Sequence, residues 1–288
     1  MPTTRFVLAL LIVAPLAACA CARRDSESGR RLELTGTVAG RESSSARLMI
    51  AHDAIDGLMP AMTMPFEVRG AAPSLREGDR IAATLVVTRA QSWLENVRVT
   101  AAGSAVRDDV VTASHAAPGV VVPAFPLVDQ DGKSLTLRDF AGRVLLITFV
   151  YTRCPLPDFC PLMVKHLESV RRKASEDHFG DRVALLGVTL DPDYDTPAVL
   201  RAYGESMLEK ADRFDQWTLA TGTATQVEAV ARFFGVAARA EGGLVTHTLA
   251  TAVIGHDSRI MRIFPSNSWR PDDLLAEVRR GVERAADR

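Results

Sequence analysis

The chain has 288 residues, of which 47% are hydrophobic and 24% charged, which are ordinary values for a folded protein. Its 34 Lys and Arg against 35 Asp and Glu give a formal net charge of −1, so composition offers no basic face for nucleic acid. At about 100–200 residues per domain, the length predicts two domains.

An apolar segment over residues 6–18 follows Arg5 and ends in Leu16-Ala17-Ala18-Cys19. It is shorter than the ~20 residues that a helix needs to span a bilayer, so it predicts a secretory signal instead. Because its end resembles a bacterial lipoprotein signal, we expect a signal peptide over 1–18, with lipidation of Cys19 and a membrane anchor. An ordinary signal cleaved nearby is the alternative. Residues 19–30 are predicted to be a flexible tether, because the stretch 23–30 is polar.

Short β-type segments separated by turn residues fill the next part of the chain, residues 31–102. The predicted strands are 32–38, 47–51, 63–68, 80–88 and 94–100. Five short strands without a helix between them predict a small all-β domain, a five-stranded closed barrel. Residues 103–119 show neither helical nor strand periodicity and predict a linker.

Strands and helices alternate from residue 120 to the end, which predicts an α/β domain over 120–288. Continuous apolar runs predict buried strands at 143–151 and 183–190. Helical spacing predicts helices at 162–174, 197–208 and 225–234, and Pro271 predicts the start of a last helix. A strand pair is expected at 248–254 and 260–264.

Two cysteines, Cys154 and Cys160, lie between the first buried strand and its helix, with five residues between them. Since Pro161 suits a first helical turn, Cys160 is placed at the helix N-terminus, where the macrodipole favours a thiolate. Thiolates attack disulfides and bind soft metals. A structural disulfide is the alternative, but so small a loop gains little stability from one.

The segments around these cysteines resemble the Sco/SenC family of thioredoxin-fold proteins, which deliver copper to cytochrome c oxidase. The matching segments are 122–125 (VPAF), 149–154 (FVYTRC), 160–161 (CP), 189–192 (TLDP), 195–197 (DTP) and 247–251 (HTLAT). The resemblance implies a copper site formed by Cys154, Cys160 and His247. The usual family loop has three residues between the cysteines, against five here.

Other polar residues near these motifs are weaker candidates for a role at the site. His166, on the helix after Cys160, ranks second to His247 as a ligand. Asp191 and Asp195 are candidates for supporting the site, but we expect them to form a turn or a helix N-cap.

Three methionines, Met59, Met62 and Met64, fall within six residues of the all-β region. On a strand, Met62 and Met64 leave the same face, and thioethers are soft ligands suited to copper(I). His52, on an adjacent strand, adds an imidazole. A methionine-filled barrel core is the alternative.

The same region is similar to small periplasmic copper and silver chaperones of the CusF type, which are oligonucleotide-binding-like (OB-like) barrels. The similarity rests on 51–53 (AHD), 59–64 (MPAMTM), 78–79 (GD) and 96–97 (NV). It implies His52, Met62 and Met64 as copper ligands. Met59 occupies the place of the tryptophan that caps the metal in that family, and it is a candidate third thioether. Trp93 is expected to serve packing.

Together these patterns predict a lipid-anchored copper chaperone on the periplasmic side of a bacterial envelope, handling copper(I), copper(II) or both. The copper ion, a client protein such as cytochrome c oxidase or its assembly factors, and the membrane are its expected partners; nucleic acid is not. The alternative is a thiol–disulfide oxidoreductase with Cys154 and Cys160 as its catalytic redox pair and no physiological copper. A peroxidase is a third, weaker alternative.

Overall fold

The computed structural model describes residues 29–41, 47–103, 115–208, 214–241 and 244–286. The expected signal peptide, Cys19 and most of the tether lie outside the described residues, as do 104–114 of the expected linker. None of the described helices is long and apolar enough to cross a membrane.

The first module is a five-stranded antiparallel sheet. Its strands are β1 (Arg30–Arg41), β2 (Leu48–His52), β3 (Met62–Phe66), β4 (Arg80–Val87) and β5 (Ser92–Ala101). The spatial order is β3-β2-β1-β4-β5. An isolated parallel bridge between Val68 and Leu94 links the segment after β3 to β5, but no continuous ladder closes the sheet. The five strands are therefore present as predicted, and a closed barrel is not confirmed.

The second module is a seven-stranded mixed sheet with the order β14-β13-β8-β9-β10-β6-β7. Its strands are β6 (Pro126–Asp129), β7 (Ser134–Thr136), β8 (Val144–Val150), β9 (Val183–Thr189), β10 (Trp217–Thr221), β13 (Thr251–Ile254) and β14 (Ile260–Phe264). β8, β9 and β10 run parallel at its centre. Every residue of β8 and β9 is buried, as their continuous apolar runs predict.

Four helices cover the second sheet: α1 (Cys160–Glu176), α2 (Pro197–Met207), α3 (Ala224–Phe233) and α4 (Pro271–Ala286). α1 and α4 lie side by side, and both contact β8. The inner face of α4 buries Leu274, Leu275 and Val278, as its spacing predicts.

The sequence expectation was wrong at the strand predicted for 248–254. Only Thr251–Ile254 form β13, and a separate hairpin of β11 (Ala238–Glu241) and β12 (Leu244–His247) precedes it. The expected linker also ends early, because the Gly119 amide donates to the Ile260 carbonyl at 2.7 Å and so joins the second module.

Candidate metal centre

Two free thiols lie where the central strand β8 passes into α1. Cys154 is partly buried in the connecting loop, and Cys160 is the fully buried first residue of α1. Pro161 occupies the first turn of the helix, as predicted. The two thiols share a hydrogen bond, so the sulfurs lie side by side without a disulfide.

The pKa values of the two thiols shift in opposite directions. Hydrogen bonds with the Cys160 thiol and with the backbone of Leu156 and Cys160 lower the pKa of Cys154 against the effect of burial. The hydrogen bond to Cys154 and complete burial raise the pKa of Cys160. The prediction that Cys160 carries the thiolate is not supported, because the bond to Cys154 and burial outweigh the amide at the helix start, which lowers the pKa of both thiols.

Tyr151 completes the immediate surroundings of Cys154. It follows β8, its side chain is 5% exposed, and its hydroxyl hydrogen-bonds the Cys154 sulfur. Burial raises the pKa of this hydroxyl, so it stays protonated and acts as a donor. Sequence reasoning missed this role; the only local signal was a polar-tipped aromatic at the end of an apolar strand.

Asp191 and Asp195 hold the chain immediately before Cys154. Asp191 accepts from Arg153 Nε at 3.0 Å, and Asp195 accepts from the Thr152 amide at 3.1 Å and the Thr189 hydroxyl at 2.5 Å. The N-cap of α2 is Thr196. Of the two expected alternatives, a turn or an N-cap, the aspartates therefore form the turn, and their carboxylates position the cysteine loop.

His247, the last residue of β12, is half-buried and faces the same region. Its ring lies 5.6 Å from the Tyr151 ring, nearly perpendicular to it. Nδ1 is 2.9 Å from the Thr248 carbonyl oxygen, which can only accept, so Nδ1 carries the proton and Nε2 keeps its lone pair. Burial lowers the pKa of His247 and favours this neutral, ligating form.

The second-ranked histidine, His166, lies elsewhere. Its ring packs against Trp269 at 5.3 Å. Its Nδ1 is buried and has no hydrogen-bond partner.

The register of the first sheet brings the predicted methionine-site residues together. His52 lies directly opposite Met62, and Met64 lies opposite Ile50, so all three donors leave the same face of β2 and β3. Met64 and Met59 are 3% and 5% exposed and also belong to the core, so packing accounts for part of their burial.

His52 has an unused donor atom. Nδ1 lies 2.7 Å from the Asp53 carbonyl oxygen and therefore carries the proton, which leaves Nε2 as a buried acceptor without a partner. Burial lowers the pKa of His52 and keeps the ring neutral. A buried unpaired nitrogen opposite a thioether fits a soft metal ion.

A cavity of about 330 Å³ lies between the two modules. From the first module it is lined by Met59, Met62 and Met64, and from the second by Tyr151, Cys154 and His247. We call this cavity the chamber. Within the described ranges, no three His, Cys, Asp or Glu side chains lie close enough together to hold a metal ion. The predicted Cys154, Cys160 and His247 set is therefore gathered in one region but not assembled.

The loop between the cysteines joins the modules. Leu156 and Phe159, 4% and 8% exposed, belong to the hydrophobic cluster of the first module. Ser92 at the start of β5 donates to the Asp158 carboxylate at 2.8 and 2.9 Å. Sequence reasoning missed this docking role, although two large apolar residues in a short loop are a usable signal.

The comparisons with known proteins agree with this architecture. The SCO1/SenC family model matches residues 113–283, more than half of the chain. The chain belongs to the SCO1/SenC family. Residues 31–99 match the model of the copper-binding periplasmic protein CusF. The two family resemblances seen in the sequence are thus confirmed.

Individual relatives are more distant. The chain is 26% identical over 163 residues to the SCO1 protein homolog of Bacillus subtilis, covering 55% of this chain and 81% of that protein. It is 27% identical over 160 residues to the human mitochondrial SCO1 homolog, covering 54% and 50%. The match thus spans about half the length of the mitochondrial relatives.

Solved structures share the fold of the second module. A SCO1/SenC family lipoprotein from Bacillus anthracis has a TM-score of 0.52 at 23% identity, covering 59% of this chain and 99% of that chain. Copper-bound ScoI from Arabidopsis thaliana has a TM-score of 0.50 at 22% identity, covering 58% and 99%. The thioredoxin-like Sco fold is confirmed. Copper as the metal is also confirmed at the level of the two families that the chain matches.

Proposed function

We propose that this protein is a copper chaperone of the bacterial envelope that supplies copper for cytochrome c oxidase assembly. The observation that carries the proposal is the chamber, where thioethers from one module face a thiol and an imidazole from the other. The Sco match and the match to a periplasmic copper-binding family support it. Attachment through a lipidated Cys19 belongs to the same proposal.

In the second module, Cys154, Cys160 and His247 are the proposed ligands. Two thiolates and an imidazole suit copper(I) and copper(II) alike. Cys154 is the entry ligand because it faces the chamber, whereas Cys160 is fully buried beside it. Completing the set requires His247 and the sulfurs to approach each other from their present positions.

In the first module, His52, Met62 and Met64 are the proposed ligands, with Met59 as a further thioether. Thioethers do not titrate, so this set holds copper(I) independently of envelope acidity. We infer that the sheet forms an OB-like barrel around these residues. The Val68–Leu94 bridge, which links the two ends of the strand order, supports that inference.

An anaerobic copper(I) titration against a chromogenic chelator tests the proposal. We expect two tightly bound equivalents in the wild type and one in each of Cys154→Ala and Met64→Leu. Met261→Leu, in β14 away from the proposed ligands, is the matched control and should retain both. Absence of tight binding in the reduced wild type would refute the proposal.

The thiol asymmetry favours a second candidate, thiol–disulfide exchange. A thiol of lowered pKa beside a buried one of raised pKa matches the division between an attacking and a resolving cysteine. The copper-free pair's reduction potential and its exchange rate with a dithiol test this. Slow exchange alongside tight copper binding rules the oxidoreductase out.

A further inference from the structure

We propose that the chamber is itself a copper(I) site shared by the two modules. In it, the Cys154 sulfur and the chamber methionines hold one ion as it passes from the first module to the second. This rests on the proposed copper function but goes beyond two separate sites, because it assigns one ion to ligands from both modules.

The walls of the chamber supply the donors that such an ion needs. Met59, Met62 and Met64 approach it from the first module, and Cys154 and His247 from the second. His247 keeps Nε2 free, because Nδ1 is engaged by the Thr248 carbonyl. All of these donors are soft or borderline ligands, which select copper(I) over the hard cations.

Charge balance in the chamber favours a set of ligands that combines one thiolate with neutral donors. Most of the lining residues are apolar, including Leu156, Phe159, Val245 and Leu249. Since an uncompensated charge is costly in such surroundings, the favourable assembly is neutral overall. One copper(I), one Cys154 thiolate, and neutral thioethers or imidazole sum to zero, so the ion adds no net charge to a lining that also includes the exposed Arg41.

The loop that carries the cysteines also keeps the chamber in place. Leu156 and Phe159 pack in the core of the first module while Cys154 and Cys160 flank them in sequence. Asn267 of the second module accepts from Arg47 of the first at 2.7 Å and donates to the Asp158 carbonyl at 2.8 Å. Contact between the two modules therefore fixes the position of the loop that carries Cys154 and Cys160.

The transfer is a ligand exchange without electron transfer. A copper–thioether bond breaks as a copper–thiolate bond forms, and the thiol proton leaves to solvent. Copper remains copper(I) throughout. A second thiolate, from Cys160, then replaces the remaining thioethers, and its proton leaves in the same way.

Selenium labelling tests the shared site directly. In full-length protein grown with selenomethionine, every methionine ligand is selenium and every sulfur ligand is cysteine. We expect the copper-edge X-ray absorption of reduced protein, loaded anaerobically with one equivalent of copper(I), to show both copper–sulfur and copper–selenium distances. Leu156→Asp, which removes an apolar docking residue, should lose the copper–selenium distance.

Pro157→Asp is the matched control, because it adds the same charge to the same loop at a residue that is not in the docking cluster. Chelator competition gives a second measurement. Leu156→Asp should weaken binding of the first equivalent by about tenfold or more, because loss of a supporting partner already costs about ten- to hundredfold in metal affinity. Circular dichroism confirms that both variants fold.

The outcomes separate the two proposals. Copper–sulfur distances alone at the first equivalent, with copper–selenium appearing only at the second, would overturn the shared site and leave two independent copper sites. An unchanged mixed pattern in Leu156→Asp would also overturn it, since separate sites averaged over the sample give that result. Absence of tight copper(I) binding would overturn the copper function itself.

Discussion

At the scale of single residues, the asymmetry of the two thiols determines what the site can do. Cys154 is hydrogen-bonded to Tyr151, to Cys160 and to the neighbouring backbone, and it faces the chamber. Cys160 is fully buried, and its pKa is raised by its bond to Cys154 and by burial. Any incoming electrophile or soft metal therefore meets Cys154 first.

This asymmetry predicts selective alkylation of the reduced wild type. We expect iodoacetamide near neutral pH to modify Cys154 at least about tenfold faster than Cys160, because thiolate content and access both favour it. Peptide mass spectrometry over time measures the two rates. In denaturant the two rates should converge, which is the control. Equal rates in the folded protein would contradict the assignment.

The half-buried His166 predicts a pH dependence of stability. Burial lowers its pKa below the ordinary 6.5, so the unfolded chain binds the proton more readily. The stability that the neutral ring contributes is thus present above the ordinary pKa and is lost as the pH falls through 6.5 toward the folded-state value.

Replacing His166 with Gln should reduce this acid sensitivity. Between about pH 7.5 and about pH 5, we expect the free energy of unfolding to fall less in His166→Gln than in the wild type. Urea unfolding at each pH measures it. His115→Gln, at an exposed position, should behave as the wild type. The prediction would be contradicted if the free energy of unfolding fell with pH by the same amount in His166→Gln as in the wild type.

At the scale of elements, the turn after β9 supports the cysteine loop. The Asp195 carboxylate, with no exposed surface, binds Thr152 just after β8 and Thr189 at the end of β9. Burial raises the pKa of Asp195, so retaining this group costs free energy that its three hydrogen bonds offset. The Asp195 carboxylate therefore contributes more to the position of the cysteine loop than to the free energy of folding.

Removing the Asp195 carboxylate should loosen the loop before Cys154. We expect Asp195→Ala to lower the free energy of unfolding by about 1–3 kcal/mol, because the donors of the partly buried Thr152 and the buried Thr189 lose their acceptor. It should also narrow the difference in alkylation rate between the two cysteines. Asp193→Ala, at an exposed position in the same turn, should change neither. Unaltered alkylation in Asp195→Ala would count against a positioning role.

Elements with strong local patterns were predictable from sequence, and those defined by distant contacts were not. The apolar run of β8 and Pro161 located the strand and the helix on either side of the cysteines. The short hairpin that carries His247 has four-residue strands, too short for a clear period. The thiol assignment failed because the burial of Cys160 and its bond to Cys154, which outweigh the helix-start amide, depend on how the loop folds.

At the scale of the whole molecule, docking of the modules was outside the reach of sequence patterns. It depends on Leu156 and Phe159 packing against residues more than 50 positions away, such as Met64 and Leu94. Arg47 reaches Asn267 across the same junction. These contacts join two sheets between which the described part of the chain shows no strand pairing.

The junction predicts coupled unfolding. We expect a single thermal transition for the two modules in the wild type and two separated transitions in Asn267→Ala. This substitution removes the hydrogen bonds that Asn267 forms with Arg47 and with the Asp158 carbonyl. Scanning calorimetry measures it. Ser266→Ala, which loses two hydrogen bonds confined to the second module, should keep one transition. A single unshifted transition in Asn267→Ala would show that the bridge does not couple the modules.

The loop of five residues between the cysteines positions the thiols and, through Leu156 and Phe159, also packs into the core of the neighbouring sheet. Thermodynamic linkage then works in both directions: if a closed junction tightens the hold on metal by some factor, metal tightens the junction by the same factor. On the proposed shared site, the loaded molecule would then be the more rigid form and the empty one would separate more readily. A recipient protein that separates the two sheets would also lower the affinity of this protein for the metal. Opening of the junction and release of the metal would then occur together.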